Sequence, residues 1–131
     1  MPIVGTGIDV AEIPRVRAAL DEPQTGARFK TRVFTAGEQA YCEARGAGRS
    51  ESYAARFAAK EATMKALGVG WGAQMSWLDI EVVREPDGRP TVHLHGKGAA
   101  TAAAAGVTRV HLALTHTREV AVAQVVLERD A

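Results

Sequence analysis

Four charged side chains that suit metal and phosphate chemistry lie close together in one stretch of the chain. They are Arg56, Lys60, Glu61 and Lys65. Carboxylate oxygens are the ligands that hard divalent cations prefer, and ammonium and guanidinium groups bind phosphate. The four residues therefore predict a metal–phosphate site. The alternative is that Glu61 and Lys65 form an i,i+4 surface pair, which would contribute only about 0.2–0.5 kcal/mol to helix stability.

The stretch from Ser50 to Gly68 predicts one long helix. Ser50 can cap its start, Gly68 can close its end in a left-handed conformation, and Ala-rich helix formers lie between them. At about 100° per residue, the apolar side chains fall into two stripes on opposite sides of the helix. One stripe contains Tyr53, Phe57, Met64 and Leu67, and the other contains Ala55, Ala59, Ala62 and Ala66. A helix that is apolar on two sides is enclosed by protein, and buried charges need partners, so a metal–phosphate site is favoured.

A second candidate metal ligand, Asp9, lies in a strand predicted over residues 2–11. It shares one strand face with Gly5 and Gly7, and the other face carries Val4, Ile8 and Val10. Glycines next to an acidic residue leave room for a bulky group to approach the backbone. The alternative is that Asp9 ends the strand and caps the next helix. The strand pattern leaves both interpretations open.

A local basic segment, Arg28-Phe29-Lys30-Thr31-Arg32, places three cations around one aromatic residue. Arg15 and Arg17 lie upstream of it. The whole chain has a net charge of only +1, so general nucleic-acid binding is not expected, because it usually requires a strongly basic surface. The segment suits an acidic protein partner. The alternative is a solvated charged face without a partner.

The composition is that of a single globular domain covering residues 1–131. Hydrophobic residues make up 47% and charged residues 24% of the chain, and this length can bury a core. The single cysteine, Cys42, excludes an intramolecular disulfide and suits a reducing compartment. The first residues predict no signal peptide, and no apolar run reaches membrane-spanning length. We therefore expect a cytoplasmic protein without a membrane partner.

The pattern of elements predicts an α+β protein with the order β-α-α-α-β-β-α-β-β. The expected helices cover residues 13–20, 36–45, 50–68 and 96–106, and the expected strands cover residues 2–11, 78–82, 91–95, 107–114 and 119–127. Thr35 and Glu38 match a capping box at the start of the second helix. The glycines at positions 68, 70 and 72, with Trp71 among them, predict a connection that either lines a ligand or simply ends the helix.

The last predicted strand is apolar on both faces. One face carries Val120, Val122 and Val126, and the other carries Ala121, Ala123, Val125 and Leu127. An antiparallel strand that is covered on both sides requires a helix on one side and more protein, or another subunit, on the other.

Four motifs occur in a characteristic order along nearly the whole chain. They are G-I-D-V-A-E-I at 7–13, F-T-A-G-E at 34–38, R-F-A-A-K-E-A-x-x-K-A-L-G at 56–68 and T-H-T-x-E-x-A-x-A-x-V-V at 115–126. This pattern resembles the holo-acyl-carrier-protein synthases, which are small bacterial 4′-phosphopantetheinyl transferases; residues from about 18 to 27 differ from it. The resemblance implies the 4′-phosphopantetheinyl transferase fold, with an antiparallel sheet packed on a long central helix, and a homotrimer.

The resemblance also implies a reaction, in which coenzyme A donates its 4′-phosphopantetheine arm to a serine of apo-acyl carrier protein and leaves adenosine 3′,5′-bisphosphate. Asp9 and Glu61 would hold Mg²⁺ against the diphosphate of coenzyme A, with water completing the coordination. The metal would polarise the attacked phosphorus and neutralise charge on the leaving group. Glu61, directly or through a metal-bound water, would take the proton of the serine. Lys65 would reach the same phosphates, and Lys60 and Arg56 would add positive charge along the helix.

Further contacts follow from the same resemblance. Gly68, His116 and Thr117 would contact coenzyme A, and His116 would do so from the neighbouring subunit of the trimer. The residues that would bind the acidic acyl carrier protein are Arg15, Arg28, Phe29 and Arg32. Ala11 departs from the larger, pseudo-dimeric transferases, which carry a D-x-E pair here. The resemblance implies that the small synthases tolerate this difference, with water in place of that Glu, and it leaves the third metal ligand open.

The same residues are compatible with two other functions. A Mg²⁺-dependent nucleotide phosphohydrolase could use the same Asp9 and Glu61 with water as the nucleophile, and a non-catalytic trimeric module could bind coenzyme A or the carrier protein. The basic segment at residues 28–32 would have no role in hydrolysing a small molecule. Both carboxylates and Lys65 argue against a pure binding module, because binding alone needs no base.

Overall fold

The computed structural model describes residues 2–69 and 75–130, and within them the chain has an α+β architecture. The helices are α1 (Ile13–Asp21), α2 (Gly26–Val33), α3 (Ala36–Glu43), α4 (Arg49–Leu67) and α5 (Gly96–Ala104). The strands are β1 (Ile3–Glu12), β2 (Ile80–Arg84), β3 (Pro90–Leu94), β4 (Arg109–His116) and β5 (Val120–Glu128). Short 3₁₀ turns cover Gly46–Gly48 and Trp77–Asp79. The predicted α+β class is confirmed.

The described strands form two antiparallel sheets, and the long helix α4 packs on the larger one. That sheet has the strand order β1-β5-β4, and β2 and β3 form a separate hairpin. Helix α4 contacts β1 and the central strand β5. The face of β5 against α4 is fully buried and consists of Ala121, Ala123, Val125 and Leu127. The predicted packing of an antiparallel sheet on a long central helix is therefore confirmed.

Helix α4 is enclosed, as its two apolar stripes predicted. Its start differs from the prediction, because the helix begins at Arg49 and the hydroxyl of Ser50 accepts a hydrogen bond from Arg17 Nε at 3.2 Å instead of capping the first turn. Its end agrees, since Gly68 has φ +73° and its amide donates to the carbonyl of Lys65 at 3.1 Å. The glycines at 70 and 72 and Trp71 lie outside the described residues.

Two glycines allow β1 to lie directly against the backbone of α4. A Cβ atom on Gly5 would lie 2.1 Å from the carbonyl oxygen of Ala66, and one on Gly7 would lie 1.9 Å from that of Ala62. The bulky group for which the glycines leave room is thus the helix itself. The other face of β1 points away from the core, with Ile8 59% and Val10 56% exposed.

Helix α2 is an addition to the predicted order, because the expected elements include no helix between residues 20 and 36. Thr25 precedes the helix without a side-chain cap, and the helix has only eight residues, so it lacks a strong local signal. It forms because Val33 is buried in the core and Phe29 packs at its edge. Tertiary packing therefore decides this helix.

The capping box of α3 is confirmed. Thr35 Oγ1 accepts a hydrogen bond from the amide of Glu38 at 3.1 Å, and Glu38 Oε1 accepts one from the amide of Thr35 at 2.8 Å. Across residues 2–69 and 75–130, none of the helices combines the length and apolar character needed to cross a membrane.

Candidate active site

The two carboxylates predicted as metal ligands line one cavity of about 400 Å³. Asp9 reaches it from β1 and Glu61 from α4, and the glycine contacts of β1 bring these two elements together. Arg15 and Phe29 line the same cavity. The structure thus joins the predicted metal ligands with two of the residues predicted to bind the carrier protein. We call this space the carboxylate cavity.

Lys65 completes the charged group at the carboxylate cavity. Its Nζ lies 2.7 Å from Asp9 Oδ1 and donates a second hydrogen bond to the carbonyl of Ile8 at 3.2 Å. The hydrogen bond to Asp9 raises the pKa of Lys65, so this side chain stays cationic at neutral pH. Glu61 is half-buried; burial, reinforced by the Asp9 carboxylate and opposed by Lys65, raises its pKa. A raised pKa makes Glu61 a better proton acceptor once it is ionised.

A divalent cation fits this pair of carboxylates. Two acidic groups that face one cavity repel each other, and a hard cation bound by their oxygens relieves that repulsion. Among the described residues, no three His, Cys, Asp or Glu side chains are grouped so that they could hold a metal ion. Asp9 and Glu61 would therefore supply two ligands, and phosphate and water would supply the others.

Arg56, which was expected to add positive charge along the helix, lines a different cavity from Glu61. Five helical positions separate the two residues, a rotation of about 140° around the axis, so they project from different faces of α4. Arg56 instead lines a cavity of about 350 Å³ together with His116. The contact of Arg56 with coenzyme A stays a prediction, and it would take place on a different face of α4 from Glu61.

This second cavity is rich in cations, and we call it the arginine cavity. The guanidinium groups of Arg56, Arg45 and Arg84 lie 4.2, 5.5 and 5.2 Å from the centre of the Tyr41 ring. Arg56 is buried, and its Nε has no hydrogen-bond partner among the described residues. Several guanidinium groups around a cavity suit a phosphate.

Three contributors to the arginine cavity were missed by the sequence analysis: Tyr41, Arg45 and Arg84. Tyr41 lies in α3, Arg45 lies just beyond its end, and Arg84 ends β2. No spacing in the sequence connects residues on such distant elements. Only the packing of α3 and β2 around α4 brings them together.

The prediction that Lys60 binds coenzyme A is wrong. Its side chain is fully buried, and Nζ lies 2.8 Å from Glu38 Oε1. It also donates hydrogen bonds to the carbonyl oxygens of Trp77 and Ile80. An ammonium group has three donors, so none is left for a phosphate. Lys60 lies on the apolar side of α4 that carries Tyr53 and Met64, and burial there is possible because its charge is paired with Glu38.

Gly68 and Thr117 are held by local hydrogen bonds. The amide of Gly68 closes α4, and Thr117 Oγ1 accepts hydrogen bonds from the amides of Glu119 and Val120, both at 3.1 Å. The turn that carries Thr117 also presents exposed His116 at the rim of the arginine cavity. Contacts of Gly68 and Thr117 with coenzyme A stay predictions.

The residues predicted to bind the carrier protein lie around α1 and α2. Arg28 and Arg32 are exposed on α2, and Arg15 is exposed on α1 with Glu12 at 3.2 Å. Phe29 is half-buried, with ring centres of Phe34 and Phe57 at 6.0 and 6.2 Å. We call the surface formed by Arg15, Arg28, Phe29 and Arg32 the basic surface. It borders the carboxylate cavity because Arg15 and Phe29 contribute to both.

Cys42 is buried, and burial raises the pKa of its thiol to about 11. A thiol with so high a pKa is not ionised at neutral pH, so a nucleophilic role is not supported.

Comparisons with known proteins agree with this geometry. The model of the 4′-phosphopantetheinyl transferase superfamily matches residues 5–125. The holo-[acyl-carrier-protein] synthase of Koribacter versatilis is 48% identical over 126 residues, which cover 96% of this chain and 98% of that protein. The holo-[acyl-carrier-protein] synthase of Anaeromyxobacter sp. is 50% identical over 127 residues, 96% of each chain.

A solved structure extends the comparison to the fold. The crystal structure of a holo-(acyl-carrier-protein) synthase from Bacillus anthracis in complex with CoA (3′,5′-ADP) is 39% identical, covers 98% of each chain and gives a TM-score of 0.80. The chain therefore belongs to the 4′-phosphopantetheinyl transferase superfamily and, within it, to the holo-[acyl-carrier-protein] synthases.

Proposed function

We propose that the protein transfers the 4′-phosphopantetheine arm of coenzyme A to a serine of an apo-acyl carrier protein. The observation that carries the proposal is the shared cavity of Asp9 and Glu61, with the basic surface at its edge. Family membership supports it, because curated relatives bear the name of this activity. A phosphate-binding site beside a surface for an acidic protein is what this transfer requires.

In the proposed reaction the serine oxygen attacks the phosphorus next to the pantetheine. A new P–O bond forms to serine, and the P–O bond to adenosine 3′,5′-bisphosphate breaks. Glu61, directly or through a water molecule, would accept the serine proton. A bound Mg²⁺ would supply Lewis-acid chemistry and charge neutralisation at the diphosphate. Asp9 and Glu61 would hold the ion, and Lys65, ion-paired with Asp9, lies close enough to place a second cation at the diphosphate.

Positioning and electrostatics carry most of the catalysis in this scheme. Charge is spread over the phosphoryl oxygens as the bond to the leaving group weakens, so preorganised cations stabilise the transition state. Glu61 is held on a buried helix and Asp9 on a strand pressed against it, so both carboxylates are preorganised at the carboxylate cavity.

The arginine cavity is proposed to bind the bisphosphate end of coenzyme A. Its guanidinium groups and His116 offer donors to a phosphate, and the flat Tyr41 ring lies among them. Within one chain this cavity and the carboxylate cavity lie on different faces of α4. A single coenzyme A would reach both types of site if the arginine cavity of one subunit adjoins the carboxylate cavity of the next.

A homotrimer would bring the two cavities together. The outer face of the larger sheet is apolar and uncovered in a single chain, since Ile8 and Val10 are exposed and Val122 and Val126 are only partly buried. Burial of this face against other copies would be favourable at roughly 25 cal/mol per Å² of apolar surface. It would also satisfy the expectation that β5 is covered on both sides.

The transfer is tested by measuring the mass of an apo-acyl carrier protein after incubation with coenzyme A, Mg²⁺ and the protein. A gain of one phosphopantetheine, equal in amount to the bisphosphate released, is expected; EDTA and Glu61→Gln should each abolish it. Cleavage of coenzyme A without a carrier would indicate a phosphohydrolase. Binding of coenzyme A without any cleavage would indicate a non-catalytic module.

The shared site is tested by mixing subunits. Chains with Glu61→Gln and chains with His116→Ala, each impaired alone, should regain activity after dissociation and reassembly, because some interfaces then pair an intact Glu61 with an intact His116. The control is a sample, dissociated and reassembled in the same way, in which every chain carries both substitutions. No recovery after demonstrated subunit exchange would place each complete site within one chain.

A further inference from the structure

The buried ion pair of Lys60 and Glu38 has no part in the chemistry proposed above, yet it joins four parts of the fold. Lys60 belongs to α4 and Glu38 to the first turn of α3. Lys60 Nζ lies 2.8 Å from Glu38 Oε1 and donates to the carbonyl of Trp77 at 3.0 Å and to that of Ile80. These contacts tie the Trp77–Asp79 turn and the start of β2 to the central helix.

Both carboxylate oxygens of Glu38 also have hydrogen-bond partners. Its Oε1 accepts the amide of Thr35 at 2.8 Å as well as Lys60, and its Oε2 accepts the amide of Val82 at 2.8 Å. Both side chains are fully buried. Burial lowers the pKa of Lys60, while the carboxylate of Glu38 opposes that change.

Stability alone does not account for such a pair. Burying two charges costs free energy, and apolar residues of similar volume are often as stabilising or more so. What the ion pair provides, and apolar residues cannot, is directed hydrogen bonds to particular carbonyl groups. The carbonyls it selects belong to the segment that carries Trp77.

Trp77 lies between the two regions that the reaction must bring together. Its indole stacks on Phe57, with ring centres 5.1 Å apart and planes at 25°. Phe57 lines the carboxylate cavity with Glu61. On its other side, Trp77 helps to line a groove of about 460 Å³ that also includes Arg28 and Arg32 of the basic surface.

We propose that Lys60 and Glu38 are positioning residues that hold Trp77 between the carboxylate cavity and the basic surface, and so fix how the acceptor serine is presented to the phosphorus. This inference rests on the proposed function. It assigns the effect of the pair mainly to the carrier protein, because its described hydrogen-bond partners, Thr35, Trp77, Ile80 and Val82, do not line the arginine cavity.

The first test is a kinetic double-mutant cycle. Lys60→Met and Trp77→Ala should each lower kcat/KM for the carrier protein by roughly tenfold, as a small misplacement of a reactant does, and change KM for coenzyme A by less than about twofold. Because both act through one side chain, the double variant should lose no more than the worse single variant. Losses that multiply, or equal losses towards coenzyme A, would overturn the proposal.

The second test observes Trp77 directly. The chain has two tryptophans, so a Trp71→Phe background leaves Trp77 as the single tryptophan, which is excited at the long-wavelength edge where the two tyrosines do not absorb. Lys60→Met should raise the acrylamide quenching of Trp77 and lower its anisotropy. Thr63→Ala is the matched control: it removes a buried hydrogen bond of 2.7 Å to the Ala59 carbonyl on the same helix, and should leave the quenching unchanged. Unchanged quenching in the Lys60→Met protein would contradict the proposed role.

A third variant separates positioning from folding. Lys60→Met leaves Glu38 buried without its partner, so it can fail to fold; Lys60→Met with Glu38→Gln removes the unpaired charge and keeps a side chain suited to the capping box. This double variant should regain stability while kcat/KM for the carrier stays low. If stability and kcat/KM for the carrier recovered together, the role of Lys60 and Glu38 would be purely structural. If the wild-type protein modified no carrier protein, the proposed function would be wrong, and so would the role of Lys60 and Glu38 in the reaction. The quenching comparison would still show whether Lys60 and Glu38 hold Trp77 in place.

Discussion

The close contact of β1 with α4 makes Gly7→Ala the sharpest single perturbation of the site. The new Cβ would lie 1.9 Å from the carbonyl oxygen of Ala62, whereas Cβ atoms essentially never approach a heavy atom within 3.0 Å. The strand must therefore move from the helix by about 1 Å. Asp9 follows two residues later on the strand, and Glu61 immediately precedes Ala62 on the helix. The same displacement therefore separates the two carboxylates.

We expect three measurable effects of Gly7→Ala. Overpacking against a rigid backbone should lower the free energy of unfolding by about 3 kcal/mol, measured by urea denaturation. Binding of Mn²⁺, measured by calorimetry, should weaken. Turnover should fall roughly 10²-fold, since misplacement of catalytic groups by about 1 Å can have such an effect.

Gly48→Ala is the matched control for stability and metal binding. A Cβ there would have its nearest neighbour, Arg45 Cβ, at 3.8 Å, an ordinary contact, and Gly48 has a negative φ. Its free energy of unfolding should change by no more than about 0.5 kcal/mol. If Gly7→Ala matched this control in stability and in metal affinity, the inferred contact between β1 and α4 would be refuted. If Gly7→Ala lost stability but kept its metal affinity, the contact between β1 and α4 would not be what positions Asp9.

Three further predictions follow from the charged groups. Asp9→Ala and Glu61→Gln should each lower turnover at least 10²-fold. The loss in the double variant should be much smaller than the product of the two single losses, because the effects of residues that act as one unit are not additive. A loss equal to that product would mean that Asp9 and Glu61 do not share a site. Arg28→Glu with Arg32→Glu should raise KM for the carrier protein and leave that for coenzyme A unchanged, and the wild-type rate at limiting carrier should fall with salt; a salt-independent rate would argue against the basic surface. Hydrogen bonds from Arg49, Lys30 and Tyr53 lower the pKa of Glu43 from 4.5 to about 2, so its ionised form stabilises the folded state above pH 4.5 and this contribution is lost between about pH 4.5 and 2. Because the Glu43 side chain is 41% exposed, screening limits the contribution to about 1 kcal/mol, and urea titrations of Glu43→Gln should show that deficit at pH 7 but not near pH 2.

Local and periodic patterns in the sequence were sufficient for the main framework. The apolar stripes of α4, the left-handed glycine at its end and the capping box at Thr35 and Glu38 depend on residues within one or two turns of each other, so the sequence predicted them. The α+β class followed from the order of such elements. The candidate metal ligands Asp9 and Glu61 were also identified from residue type and motif, and the structure places both in one cavity.

Tertiary structure decided which side of α4 each cation serves. Arg56, Lys60 and Lys65 are equivalent as charges in a sequence, but the helix directs Arg56 to the arginine cavity, Lys60 to a buried carboxylate and Lys65 to Asp9. Their partners come from α3, β2 and β1, which are distant in the chain, and long-range packing has no local signature. Seven residues after Tyr53, Lys60 falls inside the stripe of Tyr53, Phe57, Met64 and Leu67, so its burial could be predicted from the sequence. Its partner Glu38 could not be predicted.

The same reason explains the unpredicted helix α2 and the role of the glycines in β1. A helix of eight residues without a side-chain cap is not stable by itself, so it exists only because Phe29 and Val33 have a core to pack against. The sequence by itself determined that Gly5 and Gly7 make space beside Asp9. Only the folded chain decided that α4 fills this space, because close approach between two backbones depends on where both elements lie in three dimensions.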